Sequence, residues 1–115
     1  MKDLSNIAKT LENFATKRDW NQFHSPKNLS MALSVEVSEL LEEFQWLTEK
    51  QSAKLPPDKL SRVKDEIGDI FIYLIRLSSI LGIDLISAAN DKIIRNEEKY
   101  PVEKAKGNAK KYTEL

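Results

Sequence analysis

The chain has 115 residues, with 18 basic and 18 acidic side chains and no cysteine. This length fits one domain, 1–115, with a modest core. The zero net charge argues against a protein that binds nucleic-acid polymers, and the lack of cysteine excludes disulfides, zinc–thiolate sites and thiol nucleophiles. The start of the chain is polar and the longest apolar stretch, Ile70 to Ile75, is short. We therefore expect a cytoplasmic protein without a membrane partner.

Apolar residues at three- and four-residue spacing predict the first two helices. The first predicted helix covers residues 3–17, and residues 18–25 form a linker rich in aromatic and polar side chains. Ser25 and Pro26 predict the next helix start, with serine as the N-cap and proline at the first helical position. The apolar pattern that follows predicts a second helix ending at about residue 49.

The second half of the chain predicts two more helices. A third begins near Asp58, after the Pro56-Pro57 break, and Gly82 is placed to end it. Asp84 can cap a fourth helix that stops before Pro101, and residues 102–115 form a lysine-rich tail. Strand-type alternation is not evident. The sequence therefore predicts an all-α fold, an antiparallel four-helix bundle.

The third predicted helix is more apolar than one interface requires. Phe71, Ile72 and Ile75 lie off its main apolar stripe. A helix that is apolar nearly all round is usually buried nearly all round. We therefore expect a central helix that a second subunit covers, in a homo-oligomer.

Two pairs of acids lie beside the apolar stripes of the second and third helices, as Glu36-x-x-Glu39 and Glu66-x-x-Asp69. Residues three apart are neighbours on a helix surface, so the two carboxylates of each pair can bind the same ion. A single pair of this kind is more often solvated surface. Two pairs on the two most apolar helices are harder to explain by chance, and they predict a shared site.

Four clustered carboxylates require a cation. Two unit charges 4 Å apart repel by about 4 kcal/mol at an effective dielectric of 20, and a hard divalent ion removes this penalty. Oxygen ligands without histidine or cysteine favour Mg²⁺, Mn²⁺ or Ca²⁺ over zinc. Magnesium held by a few carboxylates, water and substrate phosphates is usual at phosphoryl-transfer sites. The residues thus predict a divalent-metal site on a helical bundle but leave the reaction open.

The two acid pairs, with the loop between them, resemble the signature of the MazG-like all-α nucleotide pyrophosphohydrolases. The dCTP pyrophosphatase branch is similar also in several further segments, namely residues 18–24, 44–46, 69–74, 99–102 and 111–115. The resemblance implies a helical tetramer, a dimer of dimers, with Mg²⁺ (or Mn²⁺) at the four catalytic acids. It also implies hydrolysis of a nucleoside triphosphate between the α- and β-phosphates, which releases a monophosphate and pyrophosphate, for sanitation of the nucleotide pool.

Roles for individual residues follow from the same resemblance. It implies that one glutamate, which we expect to be Glu39, accepts a proton from the attacking water. Lys92, Asn96 and Lys99 match positions that touch phosphate and sugar. The positions that surround the base correspond to Trp20, His24, Trp46 and Tyr73. Each of these also has a plain structural explanation: a solvated lysine face, aromatic packing at a core or interface, or a structural histidine.

Three alternatives stay open at this level. The same chemistry can act on dUTP or another non-standard nucleotide. The chain can instead be a non-catalytic helical oligomerisation module with solvated acids, or a regulatory nucleotide-binding protein without turnover. A substrate panel and stabilisation by a divalent metal distinguish these possibilities.

Overall fold

The computed structural model describes residues 3–115, and every regular element in that range is helical. Four long helices occur where four were predicted, and the all-α class is confirmed. The α-helices are α1 Leu4–Lys17, α2 Pro26–Glu42, α3 Glu49–Ser52, α4 Pro57–Leu81, α5 Leu85–Lys99 and α6 Val102–Ala105. Short 3₁₀ helices occupy Asn21–Phe23 and Tyr112–Glu114.

The described chain divides into two compact units. The first ends at Gly82 and contains α1 to α4, and the second runs from Ile83 to Leu115. The predicted single domain, 1–115, stays a prediction, and its residues 1 and 2 lie outside the described residues. The predicted tail contains α6 and the second 3₁₀ helix.

Helix starts and ends follow local capping chemistry. The Ser25 side chain accepts a hydrogen bond from the backbone N–H of Asn28, with Pro26 in the first turn. Asp84 caps α5 in the same way. Gly82 ends α4 with a φ of 68°, a left-handed conformation that costs glycine little. These three predictions from the sequence are confirmed.

The predicted end of the second helix is wrong. Helix α2 stops at Glu42 rather than about residue 49, and a turn follows. Thr48 then starts α3 through a capping box: its side chain accepts from the backbone N–H of Gln51, whose side chain accepts from the backbone N–H of Thr48. The two reciprocal bonds satisfy donors that a continuous helix would have bonded internally. Trp46 consequently lies on a turn and not on a helix.

Helix α4 packs against both α2 and α1. The core of this first unit contains Ala15, Leu29, Val63 and Ile75. Ile75 was expected on an apolar face left for another subunit, but it is only 3% exposed. Because α4 contacts two helices, it buries more than one face within the chain.

Other apolar residues of α4 remain accessible. Phe71 and Ile72 are 42% and 40% exposed. Ile67, which helical spacing puts on the main apolar stripe of this helix, is 53% exposed. The stripe predicted at ideal helical spacing therefore identifies the buried side of α4 only in part. The partners α1 and α2 decide which of its apolar residues are covered.

Within residues 3–115 no single helix is long and apolar enough to cross a membrane. Helices α4 and α5 reach that length and composition only when they are counted together across the break between them.

Candidate metal centre and adjoining cavity

Three of the four predicted acids meet between α2 and α4. Glu36 and Glu39 from α2 and Glu66 from α4 each offer a carboxylate oxygen, and these oxygens all lie within 4.8 Å of one another. The i,i+3 spacing puts the two α2 acids on one face, and α4 packs along α2. Asp69 stands outside this tight group, although its charge acts on Glu36.

The electrostatics of the cluster are unfavourable without a cation. Glu36 Oε2 and Glu66 Oε2 are buried and have no hydrogen-bond partner in the part of the chain that the structure describes. Burial raises the pKa of Glu66 to about 7, and the neighbouring Glu36 and Glu39 contribute. Burial, followed by the proximity of Glu39, also raises the pKa of Glu36. Unsatisfied buried carboxylate oxygens are costly, and this oxygen-only donor set fits a hard divalent ion.

Glu43, at the C-terminal end of α2, is a further acid near the cluster but has a different environment. Arg62 Nε lies 2.9 Å from one Glu43 oxygen, and Lys59 Nζ lies 3.7 Å from the other. Lys59 also donates to the Glu43 carbonyl oxygen, at 2.8 Å. The Arg62 guanidinium lowers the pKa of Glu43, in contrast to Glu36 and Glu66. Glu43 is therefore neutralised by side chains of α4 and joins the end of α2 to that helix.

A cavity of about 350 Å³ is lined in part by Asp69. Its aromatic and polar lining includes Trp20, His24, Asp69, Tyr73 and Arg76. Binding sites for small molecules typically have volumes of about 300–1,000 Å³. Three of the four residues predicted around the base thus share one cavity with one of the predicted metal ligands.

The end of α1 fixes Trp20 beside this cavity. Asp19 adopts a φ of 54°, and its N–H bonds the carbonyl oxygen of Thr16. The Trp20 N–H bonds the carbonyl oxygen of Ala15. This pair of bonds is a Schellman motif with aspartate in the left-handed position. The Trp20 ring packs edge-on against Phe14, with 5.6 Å between ring centroids, which is the apolar contact that accompanies the motif.

Arg76 holds the polar side of the cavity together, and the sequence reasoning missed it. Its side chain is only 6% exposed, and its Nε donates to His24 Nδ1 at 3.1 Å. Its two terminal nitrogens bond Glu12 and Asn21. Loss of hydration, followed by the charge of Arg76, lowers the pKa of His24. The available signal was an arginine that directly follows the apolar run Ile70–Ile75.

Trp46 does not join the other predicted base contacts. It is 87% exposed on the turn after α2, and it is absent from the lining of the cavity beside Asp69. A base-contacting role for Trp46 stays a prediction.

The three predicted phosphate and sugar contacts lie on α5, in the second unit. Lys99 lowers the pKa of Lys92 through its positive charge, so the two ammonium groups reinforce one positive potential. The Lys99 ammonium lies 4.8 Å from the centroid of the Tyr112 ring, a cation–π contact with the tail. Asn96 lies on the same helix. Two neighbouring lysines suit an anionic ligand, and the phosphate contact stays a prediction.

Residues 31–115 match the model of the MazG-like family. The chain belongs to the MazG-like family. The matched part contains all four predicted acids and extends to the end of the chain. It begins after α1 and the linker, so Trp20 and His24 lie outside it.

Individual relatives extend the similarity to nearly the whole chain. Mouse dCTP pyrophosphatase 1 is 41% identical over 97% of this chain and 67% of its own length. The human protein of the same name is 39% identical over the same shares. The crystal structure of a pyrophosphatase from Archaeoglobus fulgidus superimposes with a TM-score of 0.80 at 37% identity. That alignment covers 84% of this chain and 91% of the archaeal one.

Proposed function

We propose that this MazG-like chain is a nucleoside triphosphate pyrophosphohydrolase that uses Mg²⁺ to convert dCTP or a modified dCTP to the monophosphate and pyrophosphate. The observation that carries the proposal is the convergence of Glu36, Glu39 and Glu66, with two buried oxygens that have no hydrogen bond to any described residue. The names of the mouse and human relatives support the reaction and the substrate.

The proposed site divides the work among its side chains. Glu36, Glu39, Glu66 and Asp69 hold the metal, with Mn²⁺ as a substitute for Mg²⁺. A bound divalent ion supplies charge neutralisation on the phosphates and acidifies water. Glu39 accepts the proton of the attacking water. Oxygen ligands alone, and the unsatisfied oxygens of Glu36 and Glu66, support this choice of metal.

Nucleotide binding is assigned to two groups of residues. Trp20, His24 and Tyr73 enclose the base in the cavity beside Asp69, with Trp46 as a further aromatic contact. Lys92, Asn96 and Lys99 bind the phosphates and the sugar. The shared cavity supports the first group, and the adjacent positive charges of Lys92 and Lys99 support the second.

The proposal includes an antiparallel four-helix bundle assembled as a homo-oligomer, a tetramer built as a dimer of dimers. Exposed apolar side chains on α2 and α4 support it, since large apolar patches on a monomer usually mark a contact surface. They include Leu41, Ile67 and Phe71 at 60%, 53% and 42% exposure. A cytoplasmic location stays a prediction from the sequence.

The direct test is release of pyrophosphate and orthophosphate from canonical and modified deoxynucleoside triphosphates, with Mg²⁺ or with EDTA. We expect pyrophosphate, dependence on Mg²⁺, and the highest kcat/KM for a cytosine nucleotide. Preference for another base would support the proposed reaction but contradict the proposed cytosine substrate. No release from any nucleotide would reject the enzymatic proposal.

Variants connect the activity to the acid cluster. Glu39→Gln and Glu66→Gln should each abolish turnover while the helical circular dichroism is unchanged. Glu49→Gln is the matched control, because Glu49 is an exposed glutamate of α3 outside the cluster. Full activity in either cluster variant would contradict the assignment of the metal ligands.

A further inference from the structure

Arg76 places a buried, hydrogen-bonded cation in the wall of the cavity. It is 5% exposed, and three of its nitrogens are bonded to three different residues. Glu12 supplies the compensating negative charge from α1. A buried arginine without a carboxylate partner would be strongly unfavourable. The pair with Glu12 therefore allows a permanent positive charge to lie against His24.

The bond from Arg76 determines which nitrogen of His24 carries the proton. A guanidinium has only donors, so His24 Nδ1 must act as the acceptor. A neutral imidazole has one donor and one acceptor nitrogen, and its proton is then on Nε2. A protonated imidazole would place an N–H of His24 against the N–H of Arg76. The arrangement therefore excludes both the imidazolium and the other neutral tautomer.

The Nε2–H of His24 is left for a ligand. Within residues 3–115 this nitrogen makes no hydrogen bond, and His24 lines the cavity that Trp20 and Tyr73 also line. The cavity consequently presents a fixed donor next to aromatic rings on which a base can stack.

We propose that Arg76 is a positioning residue that locks His24 as a hydrogen-bond donor, and that the site therefore selects a base edge that presents an acceptor, as cytosine does with O2 and N3. This inference rests on the proposed function. It adds that His24 contacts the base edge, and that His24 is the hydrogen-bond donor and the base the acceptor. A base that offers only an amino group to His24 meets donor against donor and is rejected.

The tautomer is directly measurable, because His24 is the only histidine of the chain. We expect ¹⁵N NMR of the labelled, metal-free protein at neutral pH to show a protonated Nε2 and an unprotonated Nδ1. Arg76→Met should produce a mixture of tautomers. Arg76→Lys keeps a positively charged donor and should retain most of the Nε2–H form. A wild-type spectrum with a protonated Nδ1 would overturn the proposal without any variant.

Kinetics test the consequence for the base. Arg76→Met should raise the KM for dCTP about tenfold, the loss of about one hydrogen bond, and change kcat much less. Lys64→Met serves as the control, since Lys64 is an exposed residue of the same helix. An unchanged KM in Arg76→Met, with an altered tautomer, would show that the lock does not serve base binding.

Two analogues of dCTP identify the acceptor. The 3-deaza analogue lacks N3, and the 2-aminopyridine C-nucleoside triphosphate lacks O2. With the wild-type protein, one of the two should lose about tenfold in kcat/KM relative to dCTP, and this loss should shrink in Arg76→Met. Equal use of dCTP and both analogues would overturn the proposal.

If the proposed function is wrong, the results differ from those expected if only the role of Arg76 is wrong. If no nucleotide releases pyrophosphate, the enzymatic proposal fails and with it the role of Arg76 in base selection. The tautomer lock would still be decided by the NMR spectrum, which requires no turnover.

Discussion

Glu36 and Glu66 face each other from different helices, and each buries one carboxylate oxygen that has no hydrogen bond within residues 3–115. This relationship links the fold to the proposed activity. The α2–α4 contact that buries Leu29 and Val63 also brings these carboxylates together. Apolar packing therefore offsets the repulsion between the acids in the metal-free protein.

Mg²⁺ should stabilise the protein because it satisfies these oxygens. At a concentration 100 times its dissociation constant, a ligand stabilises the native state by about 2.7 kcal/mol, which is roughly 10 °C in Tm for a domain of this size. Glu66→Gln should lose this gain and melt no lower than the wild type in EDTA, since it removes a repelling charge. Differential scanning calorimetry with and without Mg²⁺ measures both effects.

Glu43→Gln is the matched control for that experiment. Glu43 also lies between α2 and α4, but Arg62 and Lys59 already neutralise it. This variant should therefore keep the full Mg²⁺-dependent gain in Tm. If Glu43→Gln lost the gain and Glu66→Gln kept it, the metal site would have to be moved towards Arg62.

In the metal-free protein, Glu66 should contribute a loss of stability as the pH rises through the range from about 4.5 to about 7. Glu66 has a folded-state pKa of about 7, above its ordinary value of 4.5. Between these values the folded state binds more protons than the unfolded state, so the free energy of unfolding falls as the pH rises. Urea unfolding in EDTA at several pH values measures this dependence.

The difference between wild type and Glu66→Gln reports this contribution together with the change that the substitution causes at the neighbouring Glu36. His24 has a lowered pKa, so it contributes stability that increases as the pH rises through its range. That contribution is common to both proteins and cancels in the difference. We expect the wild type to lose stability relative to Glu66→Gln with rising pH. A difference that is independent of pH would contradict the raised pKa of Glu66.

Local chemistry explains which helix boundaries could be predicted. Ser25, Gly82 and Asp84 act within a few residues of their own positions, and all three mark the predicted ends. The end of α2 was missed because Phe44 and Leu47 continue the apolar spacing, while the capping box at Thr48 starts a new helix. Two local signals competed there, and periodicity alone favoured the wrong one.

The candidate site, like the helix boundaries, could be predicted from the sequence only in part. Pairs on one helix, such as Glu36 and Glu39, follow from spacing. Arg76 could not be assigned in this way, because its partner Glu12 lies 64 residues earlier in the chain. Only the packing of α1 on α4 brings them together. A charged residue beside an apolar run indicates that the buried charge needs an oppositely charged partner. The sequence does not show which residue that partner is.

The left-handed conformation of Asp19 predicts a graded series of variants. Asp19→Val should destabilise the protein by about 2 kcal/mol, because a β-branched residue is strained at a φ of 54°. Asp19→Asn should stay within about 0.5 kcal/mol, since asparagine tolerates this region. Urea unfolding compares them. Equal stabilities would show that the turn relaxes in Asp19→Val.

Trp46 gives the prediction that separates a ligand contact from a packing residue. Because its side chain is 87% exposed in the chain, Trp46→Ala removes little intrachain burial and should change the free energy of unfolding of the isolated fold by less than about 0.5 kcal/mol. If Trp46 contacts the base, the KM for the nucleotide should rise while the Mg²⁺-dependent gain in Tm is retained. If it instead lies between subunits, light scattering should show a smaller assembly. An unchanged KM together with dissociation would make Trp46 an interface residue, because an exposed tryptophan has apolar area to bury in either role.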